Sequence, residues 1–140
     1  VTLHLIKLSV GSESLETLEA WQKERKARSG RLWHRTRMMP KRADEIVAGG
    51  GSIYWVIRGV VLGRQRILGF ERVIDSEGKP DTWILLDDNL VPVEPRPHRA
   101  FQGWRYLKGE EAPPDLGEGG KDLAEMPAEM LAELRNLGLL

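Results

Sequence analysis

Between residues 52 and 73 the chain is an almost continuous β pattern. Ile53-Tyr54-Trp55-Val56-Ile57 leads to Val60-Val61-Leu62 and then to Arg66-Ile67-Leu68-Gly69-Phe70. β-branched and aromatic residues at this density fit a pleated, buried surface, so whatever else folds must pack around a sheet. Gly59 and Gly63 interrupt the run, and bends or bulges are expected there. Further strands are expected over residues 82–86 and 90–93, with turns at 76–80 and at Asp87-Asp88-Asn89. Pro92, Pro95 and Pro97 lack an N–H and force an extended, edge-like passage. Residues 101–107 read as a last strand or an ordered loop.

The chain before this β block mixes both patterns. Residues 2–10 alternate, with His4, Ile6, Leu8 and Val10 on one side and Leu3, Leu5, Lys7 and Ser9 on the other. Ser14 then offers an N-cap, and Leu15, Leu18 and Trp21 follow at helical spacing. Acids precede bases along this segment, which suits the helix dipole and predicts a helix over 14–28. Residues 31–39 read as extended. Pro40 then opens a short helix over 41–48 with Ala43, Ile46 and Val47 inward, closed by Gly49-Gly50-Gly51. Residues 112–120, rich in Pro, Gly and acids, read as a linker. Leu123, Met126, Met130, Leu134 and Leu137 then predict a C-terminal helix over about 127–137. The expected organisation is one α+β domain over 1–111, the linker over 112–120 and a helical segment over 121–140.

With 140 residues and 41% hydrophobic side chains, the chain can bury a core. It has no Cys, which removes disulfides, thiolate metal sites and a thiol nucleophile. Its apolar runs are far shorter than the ~20 residues that span a bilayer. The opening Val-Thr-Leu-His lacks the basic start of a signal peptide. A cytoplasmic domain with no membrane partner is the expectation.

The zero net charge conceals a polarity. Residues 1–70 carry 13 Lys or Arg against 6 Asp or Glu, a net +7, and residues 71–140 carry 8 against 15, a net −7. From residue 23 to 42 there are nine basic side chains and one acid, whereas residues 110–133 hold eight acids and one Lys. Such separation predicts a basic face that meets an acidic partner, or one that the acidic tail covers. Ordinary ion pairs on a solvated face are the plainer alternative.

The chemistry-bearing residue types do not cluster. His4, His34 and His98 make no ligand pair, so no metal and no cofactor is implied. The Gly49-Gly50-Gly51-Ser52 run follows a helix and precedes a strand, the reverse of a phosphate-binding P-loop. Asp44-Glu45 and Asp87-Asp88 are adjacent carboxylates whose side chains do not converge. No catalytic motif is found.

What remains is basic and aromatic. Arg35, Arg37, Lys41 and Arg42 flank a strand-to-helix junction, and Trp55, Arg58, Arg64, Arg66, Trp104 and Arg105 follow. Arg35 and Arg37 share one strand face, as do Arg64 and Arg66, so each pair presents a fork. Guanidinium and ammonium groups neutralise phosphates, and exposed aromatic rings stack on unpaired bases. These ten residues are the expected nucleic-acid contacts, with Trp55 or Trp104 stacking. Against this, tryptophans are commonly core residues whose indole N–H finds a partner.

Several stretches carry a resemblance. They are His4-Leu-Ile-Lys-Leu-Ser-Val-Gly11, Arg37-Met-Met-Pro-Lys-Arg-Ala-Asp-Glu-Ile46, Gly50-Gly-Ser-Ile-Tyr-Trp-Val-Ile-Arg-Gly-Val60, Arg64-Gln-Arg-Ile67 and Phe101-Gln-Gly-Trp-Arg-Tyr-Leu-Lys108. Together they resemble a family of small, mostly alphaproteobacterial proteins of unknown function, which implies no activity. Pro40-Lys41, Ile46 and Gly49 leading into Tyr54-Trp55-Val56-Ile57, and then Gly69-Phe70-Glu71-Arg72-Val73, also resemble the PUA/ASCH-like domains at fold level. That likeness implies a small mixed, barrel-like sheet with two or three flanking helices, and RNA or a modified base as ligand. The ASCH pattern Gly-x-Lys-x-x-Glu-x-Arg is not matched at residues 51–58, so no catalytic Lys or Glu is carried over.

The expected function is therefore recognition of RNA or of a modified or single-stranded nucleotide in a basic-aromatic groove. Two alternatives stand beside it. One is a small hydrolase acting on a nucleoside-like ligand, and the other is a module that homodimerises through the C-terminal helix.

Overall fold

The computed structural model describes residues 2–117 and 125–138. Six strands form one mixed sheet: β1 (Leu3–Leu8), β2 (Trp33–Thr36), β3 (Ser52–Ile57), β4 (Val60–Ile74), β5 (Pro80–Pro97) and β6 (Trp104–Lys108). Their order across the sheet is β2-β5-β4-β3-β1-β6. Among the described strands only the β1–β3 pair is parallel, with Leu5 opposite Ile53 and Leu8 opposite Val56. Among the described residues three helices accompany the sheet: α1 (Leu15–Ser29), α2 (Ala43–Ala48) and α3 (Ala128–Asn136), with a 3₁₀ turn at Gly109–Glu111.

All six residues of β3 are buried, as expected of a central strand covered on both faces. Alternation along it divides the core. Ile53, Trp55 and Ile57 join Leu3, Leu5, Leu15, Leu18, Ile46, Ile84 and Leu131 in the larger cluster. Tyr54 and Val56 join Ile6, Val61 and Val93 in a smaller cluster on the other face. β3 turns into β4 through Arg58 and Gly59, both at positive φ (47° and 81°), the conformation of a tight hairpin whose twist matches its strands.

The sheet does not close. β2 and β6 are its two ends, and no ladder joins them, so the expected barrel is corrected to an open sheet. It is nonetheless strongly curled. His34 of β2 meets the Trp55 ring edge-on at 4.9 Å although β5 and β4 lie between their strands. Trp104 of β6 donates its indole N–H to Met38 O, just beyond β2, at 2.8 Å. The two edges thus face each other across a gap.

Several local expectations meet a different outcome. Asp87-Asp88-Asn89 is not a turn, because β5 runs through it and its pairing with β4 slips on either side. The Asp87 side chain accepts from Asn89 N at 3.0 Å, satisfying the local irregularity. The three prolines lie on the half of β5 that β2 does not reach, where a missing N–H leaves no ladder unpaired. Residues 112–117, within the expected linker, run alongside β5. Glu94 N donates to Pro114 O (2.8 Å), Leu116 N donates to Pro92 O (3.1 Å), and Val93 pairs with Asp115. Residues 118–124, which include the rest of that linker and Leu123, lie outside the described residues. No helix of the described residues is long and apolar enough to cross a membrane.

Candidate functional site

The gap between β2 and β6 is a groove of about 700 Å³, lined by Lys7, Arg35, Thr36, Arg37, Met38, Asp81, Gln102, Gly103 and Trp104. A recess of about 340 Å³ adjoins it under α1, where Lys7, Arg35, Arg25, Trp21, Trp33, His34 and Ser9 form part of the wall. Lys7 and Arg35 belong to both. The parallel β1–β3 pair places Lys7 opposite Trp55, at the end of β1. The register of β2 on β5 sets His34 opposite Ile84 and Arg35 opposite Trp83.

Lys7 is the unusual member. It shares a strand side with buried Leu3 and Leu5, and its ammonium donates only to Gly103 O, at 3.4 Å. No carboxylate lies within ion-pairing distance among the described residues. Its burial pushes its pKa down. A desolvated ammonium without a counter-ion is costly, so the groove favours an anion at this point. His34 stands nearby with its buried Nε2 unpartnered among the described residues. Burial, followed by the charges of Lys7 and Arg25, holds the imidazole down to about 3, so the ring is neutral at pH 7.

The expected contacts divide into three groups. Arg35, Arg37 and Trp104 do line the groove. The fork of Arg35 and Arg37 is present, and Asp81 sits in it. Arg35 Nε donates to the Asp81 carboxylate, and Arg37 Nη1 lies 3.8 Å from its other oxygen. Arg37 also pairs with Asp75 at 3.0 Å. Trp104 is half-buried, with Tyr106 against its ring at 4.8 Å.

Lys41, Arg42, Arg66 and Arg105 are exposed but do not line the groove. Arg42 is clamped by Glu45 through two hydrogen bonds of 2.6 and 2.7 Å. Arg105 lies 5.6 Å from the centre of the Phe101 ring.

Trp55, Arg58 and Arg64 do not line this groove. Trp55 is 1% exposed and donates its N–H to Gln65, so it offers no face to a base. Arg58 meets Glu13 and Glu129, at 3.5 and 3.2 Å. Arg64 is held by Asp115 through two bonds of 2.8 Å. The acidic tail therefore engages Arg58 and Arg64, whereas Arg31, Arg35 and Arg37 are met by Glu71, Asp81 and Asp75. Of the nine cations between residues 23 and 42, Arg25 and Lys41 have no ion pair among the described residues.

Sequence reasoning missed Lys7, Trp21, Arg25 and His34. One signal was available for Lys7: a lysine on the buried side of an otherwise apolar strand. Trp21 was expected on the inward stripe of α1. It is 48% exposed instead, its ring standing over Gly11, where a Cβ would come within 3.0 Å of it.

A family model described as "Protein of unknown function (DUF1489)" matches residues 5–140, and the chain belongs to that family. Neither a curated protein nor a solved structure matches the chain.

Proposed function

We propose that this member of an uncharacterised family binds single-stranded RNA along the open seam between β2 and β6. Lys7, Arg35 and Arg37 would meet phosphates, and Trp104 would present its ring to an unpaired base. The observation that carries this reading is the half-buried Lys7 ammonium, which has no carboxylate partner among the described residues and opens onto a groove edged by two arginines and a tryptophan.

The existing ion pairs do not oppose it strongly. Arg35 and Arg37 are each about half exposed, whereas Asp81 and Asp75 are largely buried, so the pairs stay intact and a phosphate would meet the guanidinium donors that they leave free. A guanidinium has five N–H donors, and Asp81 and Asp75 leave several of them for a phosphate. The hydrolase alternative needs a nucleophile or base held against a carboxylate. It draws no support here, because Lys7 meets a carbonyl and Ser9 Oγ shares its 2.8 Å hydrogen bond with Ser12 Oγ.

Titration of a fluorescent single-stranded RNA at two salt concentrations tests the proposal. Each phosphate contact contributes about −0.7 to the slope of log K against log salt, so three contacts give about −2. Lys7→Met and Arg35→Gln should each weaken binding and flatten that slope by about one contact. Absence of binding at low salt would overturn the reading.

A further inference from the structure

The recess under α1 differs from the outer groove in one respect that matters for ligand class. Three cations line it, Lys7, Arg25 and Arg35, and no carboxylate does among the described residues. Aromatic surface lies among them. The Trp33 ring is stacked on Trp83 at 4.2 Å with Arg25 over it at 5.5 Å, and Trp21 stands half-exposed at the rim. The imidazole of His34 forms part of the wall, with its Nε2 buried and unpartnered among the described residues. At about 340 Å³, the recess falls within the range of small-molecule sites.

We infer that this recess is a binding site for one planar ligand bearing a single anionic group, the chemistry of a nucleoside monophosphate. Its anion would lie on Lys7 and its ring against Trp21. The assignment follows from what each group lacks. Lys7 is partly desolvated and has no counter-ion, so an anion delivered there replaces lost hydration by a charge-assisted hydrogen bond. Arg25 gives one N–H to Trp33 O at 3.2 Å and keeps the rest of its donors at the recess. A large, half-exposed indole beside these cations suits a flat ring rather than an extended aliphatic chain.

The choice of a nucleotide over another planar anion rests on the RNA reading of the adjoining groove, with which the recess shares Lys7 and Arg35. On that reading, the recess would take a terminal or flipped-out nucleotide of the strand.

Quenching of tryptophan fluorescence measures this in the full chain at low salt. The probes are adenosine and uridine 5′-monophosphates, the two nucleosides, inorganic phosphate and benzoate. The expected result is saturable nucleotide binding at least about tenfold tighter than either nucleoside or phosphate alone. Lys7→Met and Trp21→Ala should each lose about tenfold or more, and Arg25→Gln severalfold, while Lys108→Gln, at the other end of β6 from Trp104 and lining neither cavity, changes nothing. Melting curves confirm that each variant is folded, and exposed Arg25 keeps the test valid if Lys7→Met does not fold.

Equal binding of phosphate and nucleotide, or nucleotide binding indifferent to Lys7, Arg25 and Trp21, would overturn the inference. Benzoate bound more tightly than either nucleotide would overturn the nucleotide assignment. RNA binding without mononucleotide binding sinks this inference and leaves the groove reading standing. Mononucleotide binding without RNA binding does the reverse.

Discussion

Burial, with the charges of Lys7 and Arg25 adding to it, pushes His34 down from 6.5 to about 3. The unfolded chain therefore takes up a proton below about pH 6.5 that the folded chain refuses until near pH 3. Stability follows the difference in bound protons, so His34 contributes fully above pH 6.5, and its contribution falls as the pH drops through that window. The slope from one such group is at most about 1.4 kcal/mol per pH unit. Urea melts of the native chain and of His34→Gln at pH 7.5 and pH 5 are expected to show a smaller acid loss in the variant. An equal loss in both would place the effect elsewhere. None of this was legible in the sequence, where His34 is one of three scattered histidines beside Trp33 and Arg35. Its burial depends on strands that arrive 20 and 50 residues later.

A second residue-scale lesson concerns Trp55. Its indole N–H bonds to Gln65 Oε1 at 3.1 Å, and Gln65 exchanges two 2.8 Å hydrogen bonds with Gln22 and donates to Asp87 O at 2.7 Å. Gln65 is 0% exposed. Such a network satisfies each buried polar atom, ties α1 to the sheet, and accounts for a tryptophan that composition alone offered as a stacking surface.

Among the elements, local signals held where local forces decide. Ser14 accepts from Thr17 N at 3.2 Å, and Gly30 ends α1 at φ 78°, so the expected helix over 14–28 emerges as Leu15–Ser29. The short helix after Pro40 is present as Ala43–Ala48 with Ile46 buried. The glycines that follow it were expected to act as a helix stop. Gly50, at φ 73°, does so. Gly51 is there for another reason: a Cβ would lie 2.2 Å from Leu3 O on β1. A backbone atom cannot give way as a side chain can, so Gly51→Ala must push β1 from β3 or displace α2. A loss of about 1–3 kcal/mol is expected, as for overpacked cores. Urea denaturation checks it, and an unchanged midpoint would show that this approach is not tight. The need for Gly51 could not be read from neighbouring residues, since its constraint comes from a strand almost fifty positions away.

At the scale of the whole molecule, two features of the chain's second half decide the surface. The first is α3. Ala128 and Leu131 are buried in the larger cluster, Met126 packs against it, and Ala128 N donates to Glu13 O at 2.8 Å. The docked face is thus Ala128 and Leu131 with Met126, not the stripe expected from the sequence, of which Met130 and Leu137 are exposed. Leu131→Ala should cost about 2–5 kcal/mol, the range for a large-to-small change in a packed core. A loss below 1 kcal/mol in urea melts would mean that α3 contributes little to the domain. The second feature is charge. The acids of the −7 half are distributed over the bases of the +7 half as short ion pairs, so the basic stretch largely ceases to be a free polyanion surface. Where the sheet remains open, what survives is Lys7, Arg25 and the donors left over on Arg35 and Arg37; Lys41, Arg66 and Arg105 also lack an ion pair among the described residues but do not line the groove.

The sequence alone determined the periodic elements, because capping, alternation and proline placement act over a few residues. The long β run, the helix after Ser14 and the edge character of the proline stretch were all legible in this way. Whether the sheet would close, which cations would be neutralised and where an uncompensated one would sit depended on tertiary structure. Those outcomes turn on which distant strands become neighbours. Lys7 lines its cavities together with Arg35 and His34 because the sheet curls until β2 faces β6, and with Trp104 because the two are opposite each other in the β1–β6 ladder. Coulombic and desolvation effects follow distance in space, not distance along the chain.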